Sequence, residues 1–209
     1  KKKNLSIFTN RENPCIINLD KRAGRFTMIY KSEDSERRAA FATADKMAAA
    51  AKTAPKGSGK DKVITLILDG NDKTVLSAHM RDIAEETGAA FFERDAGNVD
   101  ASQCVVLIGV RSEPFGMDHC GMCGFKNCGE MAKAGANCAF NITDLGIAIG
   151  SAVSVAADNR IDNRVLYSAG QAALRMNCFP SDVRVCFGIP LSTTSKSIFF
   201  DRDPNHVML

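Results

Sequence analysis

Apolar residues recur along the chain with two different periods. Between Ser35 and Thr53, the positions Ala40, Phe41, Ala44, Met47, Ala48 and Ala51 form one stripe at helical spacing. Pro55 ends that helix, and Lys56-Gly57-Ser58-Gly59-Lys60 reads as a loop. Val63 to Leu68 is a continuous apolar run rich in β-branched residues, which predicts a strand covered on both faces. Asn71 to Thr87 predicts a second helix, stopped by Gly88. Ala89 to Glu93 reads as a short strand and Cys104 to Val110 as a better one. Thr143 to Asp158 predicts a helix of small residues, Asn163 to Asn177 a further helix, and Val183 to Gly188 a closing strand. Gly146 and Gly150 each cost that helix about 1 kcal/mol relative to Ala, which implies close approach of another backbone or a cofactor. Strands separated by helices imply an α/β sandwich, and no internal repeat is visible.

Composition narrows the function classes. The chain has 209 residues, 45% hydrophobic and 24% charged, values of an ordinary folded chain. No run of about 18 apolar residues is evident, so a membrane-spanning helix is not expected. Trp is absent and only two Tyr occur, which disfavours an aromatic platform for single-stranded nucleic acid. Residues 1–27 carry a net charge of +5 against +3 for the whole, so the body is mildly acidic and has no basic footprint for nucleic acid. This leader lacks the apolar stretch of a secretory signal, and the expected location is cytoplasmic. Met28 would serve as an initiator, so the leader reads either as a native extension or as an addition. Residues 28–209 then form one domain.

Four of the eight cysteines crowd together as Cys120, Cys123, Cys128 and Cys138, spaced C-x2-C-x4-C-x9-C within the segment 114–140. A C-x2-C pair puts two thiolates on one tight turn facing one centre. Gly121, Gly124 and Gly129 supply flexible positions that let the chain wrap it, and nearby N–H groups can tune a cluster's potential. Four thiolates read as an iron–sulfur cluster or as a closed zinc site. His119 reads as a neighbour rather than a ligand. Cys104 and Cys186 lie in apolar runs where buried inert thiols are the rule; Cys15 and Cys178 carry no readable role.

Several strings resemble the uncharacterised ferredoxin-domain-containing family. These are Gly121-Met122-Cys123-Gly124-Phe125 with Cys128, the run from Cys138 through Ala152, Asp162-Asn163-Arg164-Val165, Phe187 through Ser192, and Phe199-Phe200-Asp201-Arg202. The resemblance covers about residues 28–202 and implies a [4Fe-4S] site with no established reaction. A second resemblance, to the flavin-dependent nitroreductase fold, rests on the Ala-rich helix followed by Thr53-Ala54-Pro55-Lys56 and a strand, and on the later helix leading to Gly188-Ile189-Pro190. It implies a three-layer αβα homodimer of the α/β (α+β) class, here with an inserted Cys-rich loop. It also implies FMN against Ala54, Pro55 and Lys56, with Lys196 toward its phosphate. Lys56 stands where that fold usually has Ser.

Other motifs fail. Gly57-Ser58-Gly59-Lys60 is followed by Asp61, so the phosphate-loop pattern is incomplete. No G-x-S-x-G elbow exists. Asp158, Arg160, Asp162 and Arg164 alternate in sign and read as helix-end charge pairing. The leading expectation is an iron–sulfur redox protein with an unidentified redox partner. The alternatives are a zinc-stapled interaction module and an FMN-dependent oxidoreductase with a structural cluster.

Overall fold

The computed structural model describes residues 16–20 and 25–200, with side chains from Tyr30 to Phe200. Cys15, most of the basic leader and residues 201–209 lie outside the described residues. The chain divides into two compact units, Lys1–Ala39 and Ala40–Leu209. In the first, β1 (Ile16–Asp20) pairs antiparallel with β2 (Arg25–Ile29), Ile16 opposite Ile29. The sequence reading assigned no element to this stretch. Helix α1 (Ser32–Thr53) begins in this unit, with Glu33 and Asp34 in its first turn where the helix dipole favours acids.

The second unit is built on a four-stranded antiparallel sheet. Its strands are β3 (Val63–Leu68), β4 (Cys104–Arg111), β5 (Asp162–Asn163) and β6 (Val183–Ser192), in the order β3-β4-β6-β5. Helices are α2 (Gly70–Thr87), α3 (Ala90–Ala101), α4 (Cys128–Lys133), α5 (Ala139–Asp158) and α6 (Tyr167–Arg175). Alternation along β4 explains the layers. Val105 and Leu107 face one core, with Leu76 and Met80 of α2, Phe92 and Val99 of α3, and Ala169 and Ala173 of α6. Cys104, Val106, Ile108 and Val110 face the other, with Ala44 and Met47 of α1 and Leu145, Ala148 and Ala152 of α5. The result is an αβα sandwich whose central strand is buried on both faces.

Five expectations are corrected. Residues 90–101 are helical, because Phe92, Ala96 and Val99 repeat at helical spacing against the sheet. β3 is an edge strand, half-buried along most of its length. Residues 163–166 are not helical: Asp162–Asn163 pairs with β6 and Leu166 bridges Gly188, so α6 starts only at Tyr167. That extended path also separates the four alternating charges, which form no ion pairs with each other among the described residues; Arg164 lies over the Phe200 ring at 5.4 Å. Finally, α5 is long and apolar enough, by length and composition, to cross a membrane, contrary to expectation. Its inner stripe of Asn141, Leu145, Ala148, Ala152 and Ala156 packs in the core.

Gly146 and Gly150 face outward, with no atom within 4 Å of a Cβ placed at either. The close backbone approach occurs instead at Gly170, where a Cβ would lie 1.8 Å from the Cys186 carbonyl oxygen. Ala or any larger residue there would push α6 off β6.

Candidate metal centre

The cysteine segment leaves the sheet at the end of β4 and is fastened on its way out. Arg111 donates to both carboxylate oxygens of Asp182, at 2.8 and 2.7 Å. Asn141 donates to the carbonyls of Arg111 and Glu113 at 3.0 and 2.7 Å. Lys62 donates to the carbonyls of Glu113 and Pro114 at 2.9 and 2.8 Å, and Lys60 to that of Phe115 at 3.3 Å. Carbonyls that no sheet or helix satisfies are thus paired by side chains, as a partly buried loop requires.

Beyond this anchor the backbone turns at glycine. Gly121 and Gly124, each directly after a cysteine, have φ of 62° and 81°, the left-handed region that glycine enters without strain. The Gly124 N–H donates to the Gly121 carbonyl at 2.9 Å and closes the turn that carries Cys120 and Cys123. Gly129 does not share this role, because it lies inside α4. Cys128 opens α4, whose N-cap Asn127 accepts from the Glu130 N–H at 2.9 Å. Cys138 is the N-cap residue of α5 and is buried. The free N–H groups of that helix start favour an anionic sulfur beside them.

Cys120, Cys123, Cys128 and Cys138 all line one small concavity, part of it open to solvent. Its walls are Phe115, Phe125, Met131 and Phe140, with Met117 and Met122 exposed at the rim. Phe115, Met131 and Cys138 form a small apolar core of their own, and the Phe115 and Phe140 rings stack at 4.7 Å between centroids. The cysteines are free thiols. Among the described residues no three His, Cys, Asp or Glu side chains gather closely enough to hold a single ion. In donor type and apolar lining the four cysteines fit a thiolate-ligated cluster. His119 is exposed, adopts φ of 57° and does not line this concavity.

The residues assigned to flavin stand differently. Ala54 is buried and Pro55 exposed. Lys56 donates to the carbonyls of Ala51, Lys52 and Ala54 at 2.8, 2.8 and 2.9 Å, closing the C-terminus of α1. Its three ammonium protons are therefore engaged within the chain. Lys196 is exposed. The next residue, Gly57, donates its N–H to the Asp144 carboxylate, at 3.1 and 3.2 Å to the two oxygens. Asp61 pairs with Lys52. Burial works to raise the Asp61 pKa, but hydrogen bonds from Lys52 and the Val63 N–H, with the Lys56 charge, hold it below the usual carboxylate range.

The sequence reading missed Phe115, Phe140, Lys60 and Asp144 as parts of this site. A signal was available for two of them: Phe140 and Asp144 are spaced i, i+4 just after Cys138 and so share one face of α5.

Comparisons with known proteins agree with the fold and place the chain. The family described as "Uncharacterized protein containing a ferredoxin domain" (DUF2148) matches residues 134–202, which include Cys138 but not the other three cysteines. An uncharacterized protein of Archaeoglobus fulgidus is 39% identical over 185 residues, covering 85% of this chain and 99% of that protein. Among solved structures, an FMN-containing oxidoreductase superposes with a TM-score of 0.50 at 12% identity, over 74% of this chain and 67% of its own. A nitroreductase family protein from Clostridium novyi gives 0.47 at 18% identity, over 75% and 77%. At these identities the structural likeness concerns the fold alone. With a relative this similar over nearly its whole length, the chain belongs to the family of uncharacterized proteins containing a ferredoxin domain, a domain that implies an iron–sulfur cluster.

Proposed function

We propose that the chain is a redox protein in which Cys120, Cys123, Cys128 and Cys138 hold a [4Fe-4S] cluster. The observation that carries this reading is that all four cysteines line one apolar concavity. A bound cluster would supply single-electron transfer. The protein's own part is to present four thiolates, to aim backbone N–H groups at sulfur, and to exclude water with Phe115, Met131 and Phe140. Cys120, Cys123 and Cys128 are half-exposed, so the open side is where electrons would enter from a partner.

Anaerobic purification followed by iron, acid-labile sulfide and zinc assays tests the reading. About four irons and four sulfides per chain, with a broad visible absorption lost on reduction, are expected. Stoichiometric zinc in a colourless protein would replace this reading with the zinc-stapled module.

The fold shared with an FMN-containing oxidoreductase favours a second reading, in which the cluster exchanges electrons with a flavin. FMN released on heat denaturation would support it. A homodimer belongs to the same proposal. The outer face of α5 carries Gly146, Gly150 and Ser154 beside the exposed Ile142 and Ile147, a surface suited to close helix packing. Light scattering at twice the chain mass would bear this out.

A further inference from the structure

Two charged side chains of opposite sign flank the concavity through one aromatic ring. The Lys60 ammonium sits 5.1 Å from the Phe115 ring centroid and donates to the Phe115 carbonyl at 3.3 Å. Asp144 meets the same ring at Gly57, whose N–H it accepts. A Cβ placed on Gly57 would lie 2.6 Å from Phe115 Cε2 and 3.6 Å from Asp144 Oδ2, so ring edge and carboxylate border one point. Phe115 itself lines the concavity, as does Phe140, one helical turn before Asp144. Asp144 is 8% exposed, while Lys60 is exposed.

We propose that Lys60 and Asp144 tune the reduction potential of the four-cysteine centre in opposite directions. The inference rests on the iron–sulfur reading above. Reduction adds negative charge to the centre. A cation nearby favours the reduced state and an anion nearby disfavours it, and the apolar wall around Phe115 leaves little water to screen the buried Asp144. Lys60 therefore raises the potential and Asp144 lowers it. Burial makes the Asp144 effect the larger, because solvent and salt screen the exposed ammonium. Lys62, held beneath the same loop by the Glu113 and Pro114 carbonyls and ion-paired with the Glu113 carboxylate at 3.8 Å, is unchanged in every variant.

Both residues act on the centre through the field and touch no ligand, so they are positioning residues. The test is a spectroelectrochemical titration of cluster-loaded protein, comparing wild type with Lys60→Gln, Lys60→Arg and Asp144→Asn. Asn keeps an acceptor for the Gly57 N–H, and Arg keeps the charge. Lys60→Gln is expected to move the midpoint to more negative values, Asp144→Asn to more positive values by a larger amount, and Lys60→Arg to stay near wild type. Raising ionic strength is expected to shrink the Lys60→Gln shift more than the Asp144→Asn shift. Unchanged midpoints with full iron content would overturn the inference and leave the iron–sulfur reading standing. So would shifts of the same sign. Loss of iron in Lys60→Gln alone would also overturn it, by making Lys60 a structural tie. Wild-type protein without iron and sulfide would instead refute the reading on which it rests.

Discussion

Replacing Phe115 with Ala probes whether the small core around the thiols is an energetic unit of its own. Phe115 is 6% exposed, packs with Met131 and Cys138, and stacks on Phe140. Truncating a buried Phe to Ala costs about 3–5 kcal/mol. The low end, about 3 kcal/mol, applies here because one side of the site faces an open concavity. Phe115 belongs to neither of the two cores that sandwich the sheet. The loss should therefore fall on local opening of residues 115–140 rather than on global unfolding. At 1.4 kcal/mol per tenfold, 3 kcal/mol raises the open population about 100-fold. Iron release to an excess of chelator, followed by loss of visible absorbance, should accelerate by about that factor. Phe115→Leu keeps apolar volume and gives up only the ring stack; at less than about 1.5 kcal/mol it should accelerate release about tenfold or less. Release from the Ala variant at the wild-type rate would refute the reasoning. So would a urea midpoint that falls by the full 3 kcal/mol, since that would make the region one cooperative unit with the sheet.

Other expectations concern the scaffold. Gly170→Ala should destabilise by about 3 kcal/mol or more, at or above the usual overpacking range, because the obstacle is strand backbone at 1.8 Å; Gly146→Ala, on an open helix face, should stabilise by up to about 1 kcal/mol. Equal urea midpoints for the two would be incompatible with the observed α6–β6 contact. Lys56→Met should cost about 2 kcal/mol by removing three bonds to carbonyls at the end of α1, with iron content unchanged. Burial pushes the Cys186 thiol well above its ordinary value of 9.0, with the neighbouring Cys178 adding to the effect. The folded state then keeps a proton that the unfolded state loses, so stability falls as pH rises above about 9. Relative to Cys186→Ala, wild type should lose about 1.4 kcal/mol per pH unit there in urea unfolding; parallel curves would contradict it.

The elements legible in sequence were those whose signal is carried within a few residues. β3 was placed from its apolar run and the end of α2 from the Gly88 stop, which is left-handed at φ 70° as a C-cap glycine should be. That the four cysteines share one concavity was legible because their spacing is a local pattern. What failed depended on partners distant in the chain. Residues 90–101 show a helix period only once Phe92, Ala96 and Val99 are known to face one core. The extended path at 162–166 is set by pairing with β6, which no local propensity reports. Gly170 carries no local signal of its role, because the strand behind it is what requires glycine. The charges near Phe115 were missed for the same reason: Lys60 and Asp144 come close to it from points far apart in sequence.

The turn after α1 shows how a shared fold and a particular chemistry separate. Its resemblance to a flavin-contacting turn rests on Ala54 and Pro55, and the fold around it is similar to that of an FMN-containing oxidoreductase. Yet Lys56 gives all three of its protons to the end of α1, and the Gly57 N–H goes to Asp144. The following residues reach the opposite way: Lys60 and Lys62 hold the carbonyls of Glu113, Pro114 and Phe115 at the root of the cysteine segment. In this chain the turn braces the loop that carries the thiols. Folds constrain where loops emerge, while the donors and acceptors on those loops decide what is held. Here the donors nearest the turn are committed to backbone carbonyls of the chain itself.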